Sequence, residues 1–457
     1  MQEHIQLTQK EINRELLRGI FVWPKWWFAS VSFLILVFLV GAGAFGYMIN
    51  KGVGVTGLNR PVFWGVYMVN FVFWIGISHA GIMISAILRL TQAEWRRPIT
   101  RAAEVLTVFS LMGAMFAAAL VHTGRPWRAY WVFPYDFSRG VWMNVRSPLI
   151  WDPSAVNTYL IASSLFVFVA LLPDLAIVRD RSRGWVRVMY SFMCLGWRGT
   201  PRQWKLQAVA GILLSALVLP VFVSVHSIVS WDFAVQIGTE GWHSTIFAPY
   251  FIIGAIHSGV SAVVTVMVLM VWLWKWDNYL RPDHFDAIGR LLIVVATTWF
   301  FFFFLEWVFA LYTLEGPEIA LRELQIFDWP MSGLFGLFLA TAFFIPVPLW
   351  LFKRVRRNLL LMFLTTLLVN VGMWLERFLI IVPALLRKSP MIFDWGTYRP
   401  SIIEIFMVTA VFAWVTLGML IFSKVFPLLP LFDIKESMVG RDEIKIGRRT
   451  VPASIRE

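Results

Sequence analysis

The sequence predicts an all-α integral membrane protein of about ten transmembrane helices, and three observations carry that reading. Hydrophobic residues make up 59% of the 457 positions against 15% charged, and the mean hydropathy is +0.70. So few charges cannot solvate a soluble chain of this size. The apolar residues come in runs near the ~20 that carry a helix across a hydrocarbon core. Lysine and arginine gather in alternate short connections between those runs, the asymmetry that orients membrane helices.

Taken in order, the spans are expected at 27–50, 61–89, 102–122, 153–178, 206–230, 247–274, 287–314, 329–352, 358–386 and 400–424. Lys10, Arg14, Arg18 and Lys25 precede the first, and Arg89, Arg96, Arg97 and Arg101 follow the second. The run from Arg179 to Lys205 and the group Lys353, Arg354, Arg356 and Arg357 fall on the same side. Both termini are therefore expected inside, with 1–26 an inner N-terminal segment, 27–425 the membrane domain and 426–457 an inner tail. Residues 1–24 are polar and predict no cleavable signal. Ser78-His79-Ala80-Gly81 in the second span is echoed by Ile256-His257-Ser258-Gly259 in the sixth. That echo divides the domain into two parallel four-helix bundles, 61–230 (spans 2–5) and 247–386 (spans 6–9), flanked by the first and tenth spans.

Composition also excludes some chemistries. Cys194 is the sole cysteine, which rules out an internal disulfide, a Cys-ligated iron–sulfur cluster and a CxxCH haem attachment within this chain. The net charge of +13 resides in short loops between apolar spans, so it marks membrane orientation and not nucleic-acid binding.

The connection from His122 to Asp152 is the most distinctive stretch. It carries Arg125, Arg128, Arg139 and Arg146 among Trp127, Tyr130, Trp131, Tyr135, Trp142 and Trp151. One hairpin holds His122 and Asp152 at the same outer membrane depth. Ionisable residues inside spans are costly and are functional candidates by default. Besides this pair they include His226, Asp232, Glu306, Glu376, Arg377 and Glu404 towards the outside, with Asn70, His79 and His257 nearer the centre. Each also has a structural reading. Glu376 and Arg377 serve as pairing partners for neighbouring helices, His226 as a hydrogen-bonded bundle residue, and Glu104 and Asp174 as interfacial charges. Ser401-Ile402-Ile403-Glu404 fits a capping box for the tenth helix. Glu306 sits in an aromatic run, Thr297 to Tyr312, where an unpaired carboxylate is held protonated.

A quinol head group fits this pattern. Its oxidation needs a hydrogen-bond partner on each oxygen and a base for each departing proton, which His122 and Asp152 would supply with Arg125, Tyr130 and Trp151 around them. With no evident redox centre of its own, the chain must pass electrons to a partner docked on the arginine-rich connection.

Ser78-His79-Ala80-Gly81, Arg101-Ala102-Ala103-Glu104, His122-x-Gly124-Arg125-Pro126-Trp127, Ser147-Pro148-Leu149-x-Trp151-Asp152 and Trp395-Gly396-x-Tyr398-x-Pro400-Ser401-x-x-Glu404 resemble the polysulfide-reductase-type (NrfD-like) membrane subunits. The His122/Asp152 pair looks most like the quinol-oxidising subunit of bacterial alternative complex III. The resemblance implies two four-helix bundles in the bacterial inner membrane and a quinol (menaquinol) pocket near the periplasmic face, with no haem or iron–sulfur cluster in this chain. It further implies a periplasmic iron–sulfur subunit, c-type haem subunits and a second NrfD-like membrane subunit as partners. His79, His257, Glu306, Glu376, Arg377 and Glu404 become candidates for a proton path. Three alternatives remain: a sister proton-conducting subunit without quinol chemistry, a haem-b cytochrome with His79 and His257 as axial ligands, and a secondary transporter.

Overall fold

The computed structural model describes residues 9–123, 127, 130, 140, 145–239, 241–386, 397–439, 443–446 and 449–452. Without water in the hydrocarbon core, backbone amides and carbonyls must pair within each segment, so the apolar runs fold as helices. Among the described residues nine helices are long and apolar enough to cross a membrane. They coincide with nine of the ten predicted spans. The remaining predicted span is the 24-residue helix Thr100–Thr123, which at ~1.5 Å per residue reaches the ~30 Å that a bilayer core requires.

The first half of the chain comprises α1 (Gln9–Phe21), α2 (Lys25–Lys51), α3 (Val66–Ile82), α4 (Thr100–Thr123), α5 (Pro148–Arg181), α6 (Gly184–Met193) and α7 (Pro201–Trp231). The second comprises α8 (Phe247–Trp274), α9 (Pro282–Thr313), α10 (Gly316–Ile326), α11 (Met331–Leu339), α12 (Leu359–Leu386), α13 (Ile402–Val425) and α14 (Leu431–Val439). α3 packs between α4 and α8, α5 lies on α7, and α8 touches α9 and α12. α2 and α13, the first and last spans, pack on each other.

Among the described residues three single π-helical turns interrupt this regularity: Met83–Ile87 after α3, Asp232–Ile237 after α7 and Ala340–Phe344 after α11. Such turns widen the ladder locally and concentrate at functional positions. Each here touches a buried polar group: Ser85 donates to Glu104, Asp232 bonds Asp152, and Ala342 O accepts from His257.

At the end predicted to face inside, one expectation changes. Glu104 and Asp174 are not interfacial; both are buried. Arg101 lies between them, 3.2 Å from Asp174 and 3.7 Å from Glu104, because α4 and α5 bring their charged turns under the bundle instead of into water. The C-terminal segment after α13 is folded. Leu428, Leu429, Leu431 and Ile434 are buried, and Glu443–Ile446 pairs antiparallel with Arg449–Pro452. Outside the lipid, an alternating Glu-Ile-Lys-Ile segment is free to form a strand.

Candidate functional site

The end predicted to face outside holds the candidate site. α5 begins with Ser147 and Pro148, proline being suited to a first helical turn whose amide has no partner. That start places Trp151 and Asp152 side by side. Trp151 is partly exposed and donates to Val145 O at 2.6 Å. Asp152 turns inward and is fully buried. α7 supplies the facing residues: the Trp231 ring lies 6.5 Å from that of Trp151, and Asp232, also fully buried, is hydrogen-bonded to Asp152. A hydrogen bond between two carboxyl groups needs one proton on the pair, leaving the other group able to accept a second. On the outer face of α7, Leu219, Phe222, Val223, Ile228 and Trp231 line an apolar groove of ≈ 560 Å³ that reaches Trp231, the residue before Asp232. Pro220 removes one backbone donor from the middle of α7, the usual origin of a bend.

Of the predicted quinol contacts, Asp152 and Trp151 therefore come together with two residues the prediction had not assigned, Asp232 and Trp231. Tyr130 is exposed. His122 falls in the last turn of α4, but its side chain lies outside the described residues, as does Arg125.

A second polar group lies at the same end, on α9, α10 and α12 and the segment before α8. Ser244 donates to Glu306 at 2.7 Å. Arg322, on α10, stands 3.7 Å from Glu306 and 3.3 Å from Glu318, with its guanidinium over the Trp307 ring. Glu306 is therefore not an unpaired carboxylate among aromatics: α10 folds back and brings a cation to it. Glu306 and Arg322 line a cavity of ≈ 40 Å³ whose far wall includes Tyr250 and Glu376, room for roughly two or three waters. Glu376 accepts from Tyr250 and from Trp299 (2.8 Å) and is ion-paired with Arg377. All four side chains are buried.

Deeper still, His257 stacks on Trp299 at 5.5 Å and donates through Nε2 to Ala342 O at 3.1 Å. His79 and His226 face each other across α3 and α7 with ring centroids 4.6 Å apart. His79 and His257 thus belong to different environments: His79 turns both ring nitrogens to backbone carbonyls, of Ile75 and Phe222, and His257 turns Nε2 to that of Ala342. Among the described residues no three His, Cys, Asp or Glu side chains converge as a metal site.

Glu404 stands apart from this row. Its carboxylate accepts from Gly57 N (2.7 Å), Ser401 N (2.8 Å) and Tyr398 Oη (2.8 Å), and Ser401 completes the capping box. Tyr398 also receives Val66 N at 2.9 Å. Burial above all, with the neighbouring carboxylate adding to it, pushes the Tyr398 phenol above its ordinary value, so the hydroxyl stays a donor. Glu404 serves as a cap and a clamp between chain segments.

The family pattern for polysulphide reductase, NrfD, matches residues 54–388, well over half of the chain. The chain belongs to the NrfD family. Among relatives, a putative membrane C-subunit of the dimethyl sulfoxide reductase of Halobacterium salinarum is 29% identical over 240 residues, 52% of this chain and only half of that protein. The C-subunit of the selenate reductase of Mesobacillus selenatarsenatis is 21% identical over 90% of this chain and 95% of its own length. The Hdr-like menaquinol oxidoreductase integral membrane subunit of Archaeoglobus fulgidus is 21% identical over 89% and 96%. Each is similar to this NrfD-family chain along its membrane domain. Sequence reasoning counted Asp232 among the outer ionisable candidates and passed over Trp231; both sit at the end of a long apolar helix, and only packing reveals that they meet Asp152 and Trp151.

Proposed function

We propose that this NrfD-family protein is the quinol-handling membrane subunit of a respiratory oxidoreductase, with menaquinol as substrate. The observation that carries the reading is the buried, hydrogen-bonded pair Asp152–Asp232 at one end of the bundle, with an apolar groove on the outer face of α7 that reaches Trp231. A membrane-soluble quinol reaches such a pair from the bilayer. Its hydroxyls hydrogen-bond to the carboxyl groups; as each quinol loses two electrons and two protons, the dyad takes one proton as it passes to the doubly protonated form. The second proton falls to another base, for which His122 is the expected residue. The two electrons leave to a partner carrying iron–sulfur clusters, outside the membrane, and from there to c-type haem subunits. The finer likeness to the quinol-oxidising subunit of alternative complex III, with a second NrfD-like subunit beside it in a bacterial inner membrane, rests on the 120–152 stretch.

The second bundle supports a proton route in the same protein: Glu306, the small cavity and the Glu376–Arg377 pair form a continuous polar row, with His257 next along it. Glu404, held by three donors, is left out of that route.

The test is steady-state quinol turnover by the intact complex. Asp152→Asn and Asp232→Asn should each lower kcat by about 10²–10⁴, the usual contribution of a positioned acid–base group, with the complex still assembled. Wild-type turnover in both assembled variants would end the assignment.

A further inference from the structure

We propose that His79 is a proton-binding site at the centre of the membrane domain, and that its imidazole is held there in the doubly protonated form. The argument starts from its two ring nitrogens. Nδ1 lies 2.6 Å from Ile75 O, and Nε2 lies 3.1 Å from Phe222 O. A carbonyl oxygen has no hydrogen to give, and a neutral imidazole carries a single N–H. In either neutral tautomer, therefore, one ring nitrogen aims a lone pair at a carbonyl oxygen inside hydrogen-bond distance. Imidazolium alone satisfies both. Ser78 Oγ, 3.3 Å from Nδ1, does not relieve the conflict, because its hydroxyl donates to the same Ile75 O at 2.6 Å.

The surroundings fix the ring in this setting. His79 is fully buried. Tyr159 of α5 and Thr107 of α4 both donate to Ser78 O, at 3.0 and 2.6 Å, and so anchor the turn that carries the histidine. Two titratable rings face it: His226 of α7 at 4.6 Å and Tyr159 at 5.3 Å. Burial first, and then repulsion by the nearby Arg377 of α12, oppose a positive imidazole, against the two carbonyl oxygens that favour it. That repulsion is offset because the Arg377 guanidinium is ion-paired with Glu376. The state of His79 is therefore tied to Glu376. A proton arriving on Glu376 removes the charge that balances Arg377, and the imidazolium then loses its proton, which returns the net charge of the three groups to +1.

His257 provides a built-in contrast. Its Nε2 donates to Ala342 O, while Nδ1 has no partner, an arrangement that the neutral ring with hydrogen on Nε2 already satisfies. Two histidines in echoing sequence motifs thus occupy sites of opposite preference. The inference concerns the charge of one side chain and does not depend on the identity of the quinol or on the carboxyl dyad.

The experiment uses the full chain, labelled with ¹⁵N-histidine and reconstituted in lipid bilayers, with ring nitrogens read by solid-state NMR between pH 6 and 8. One ring is expected to stay doubly protonated at pH 8, where exposed imidazoles are neutral, absent in His79→Gln and converted to a neutral ring in Glu376→Gln. Should His79→Gln fail to fold, ¹³C-carbonyl phenylalanine assigns the ring through its coupling to the Phe222 carbonyl. A neutral His79 ring throughout this pH range overturns the proposal. A ring that stays doubly protonated in Glu376→Gln overturns the link to Glu376.

Discussion

Glu404 and Glu376 look alike in the sequence, each a carboxylate in an apolar run near a predicted outer boundary, and the structure separates them by their partners. Glu404 receives two backbone amides and a tyrosine hydroxyl from two separate stretches of chain. The fit is tight: a Cβ on Gly57 would stand 2.0 Å from Arg399 O. Removing the carboxylate strands those donors, at about 1–3 kcal/mol for each buried group left unpaired. Glu404→Ala should therefore lower the thermal midpoint of the detergent-solubilised protein while leaving turnover per folded molecule unchanged. Glu376 touches a cavity and an arginine instead. Glu376→Gln leaves the buried Arg377 without its counter-charge, at about 3–5 kcal/mol, and should reduce proton release per quinol by the folded protein in reconstituted vesicles. A stable Glu404→Ala with lost turnover would reverse the two roles.

At the scale of helices, the sequence made the number and placement of spans legible because each needs a long apolar run, and that demand is met locally. Which faces meet is not local. Asp152 and Asp232 lie 80 positions apart, and nothing in either run announces that α5 and α7 bring them into contact. Arg322 was likewise hidden, on a short helix outside the predicted spans. The glycine of the Ser78–Gly81 motif was readable as a pattern, though its purpose appears only in packing. A Cβ at Gly81 would lie 2.1 Å from both Ala103 O and the Thr107 hydroxyl, so α3 approaches α4 at backbone distance there. Gly81→Ala must push those helices apart, at a cost of about 1–3 kcal/mol for an overpacked contact. It also disturbs the bond from Thr107 to Ser78 O beside His79. The expected outcome is a lower midpoint together with a change in the His79 ring signal. The same substitution at Gly43, where nothing approaches within 4 Å, should leave both untouched.

For the whole molecule, the two ends of the bundle are closed by different means, and the difference makes a last prediction. At the end holding the carboxyl dyad, the apolar groove on the outer face of α7 reaches Trp231. At the opposite end the C-terminal segment folds under the first bundle. Phe432 N donates to Asp174 at 3.1 Å, the Phe432 ring stacks on Trp204 at 4.0 Å, and four aliphatic side chains from Leu428 to Ile434 are buried. Each such side chain contributes roughly 1.5–3 kcal/mol by leaving water, less the entropy of ordering the segment. The ion pair of Arg97 with Glu436, half-exposed on one side, adds at most about 1 kcal/mol. Burial, not charge, therefore holds the seal. Ending the chain after Phe426 should lower the midpoint sharply and open the Arg101–Glu104–Asp174 cluster to solvent, seen as faster hydrogen exchange in α4 and α5. Arg97→Ala should do neither. Equal effects from the two changes would mean that the surface ion pair, and not the buried aliphatic face, fastens the tail.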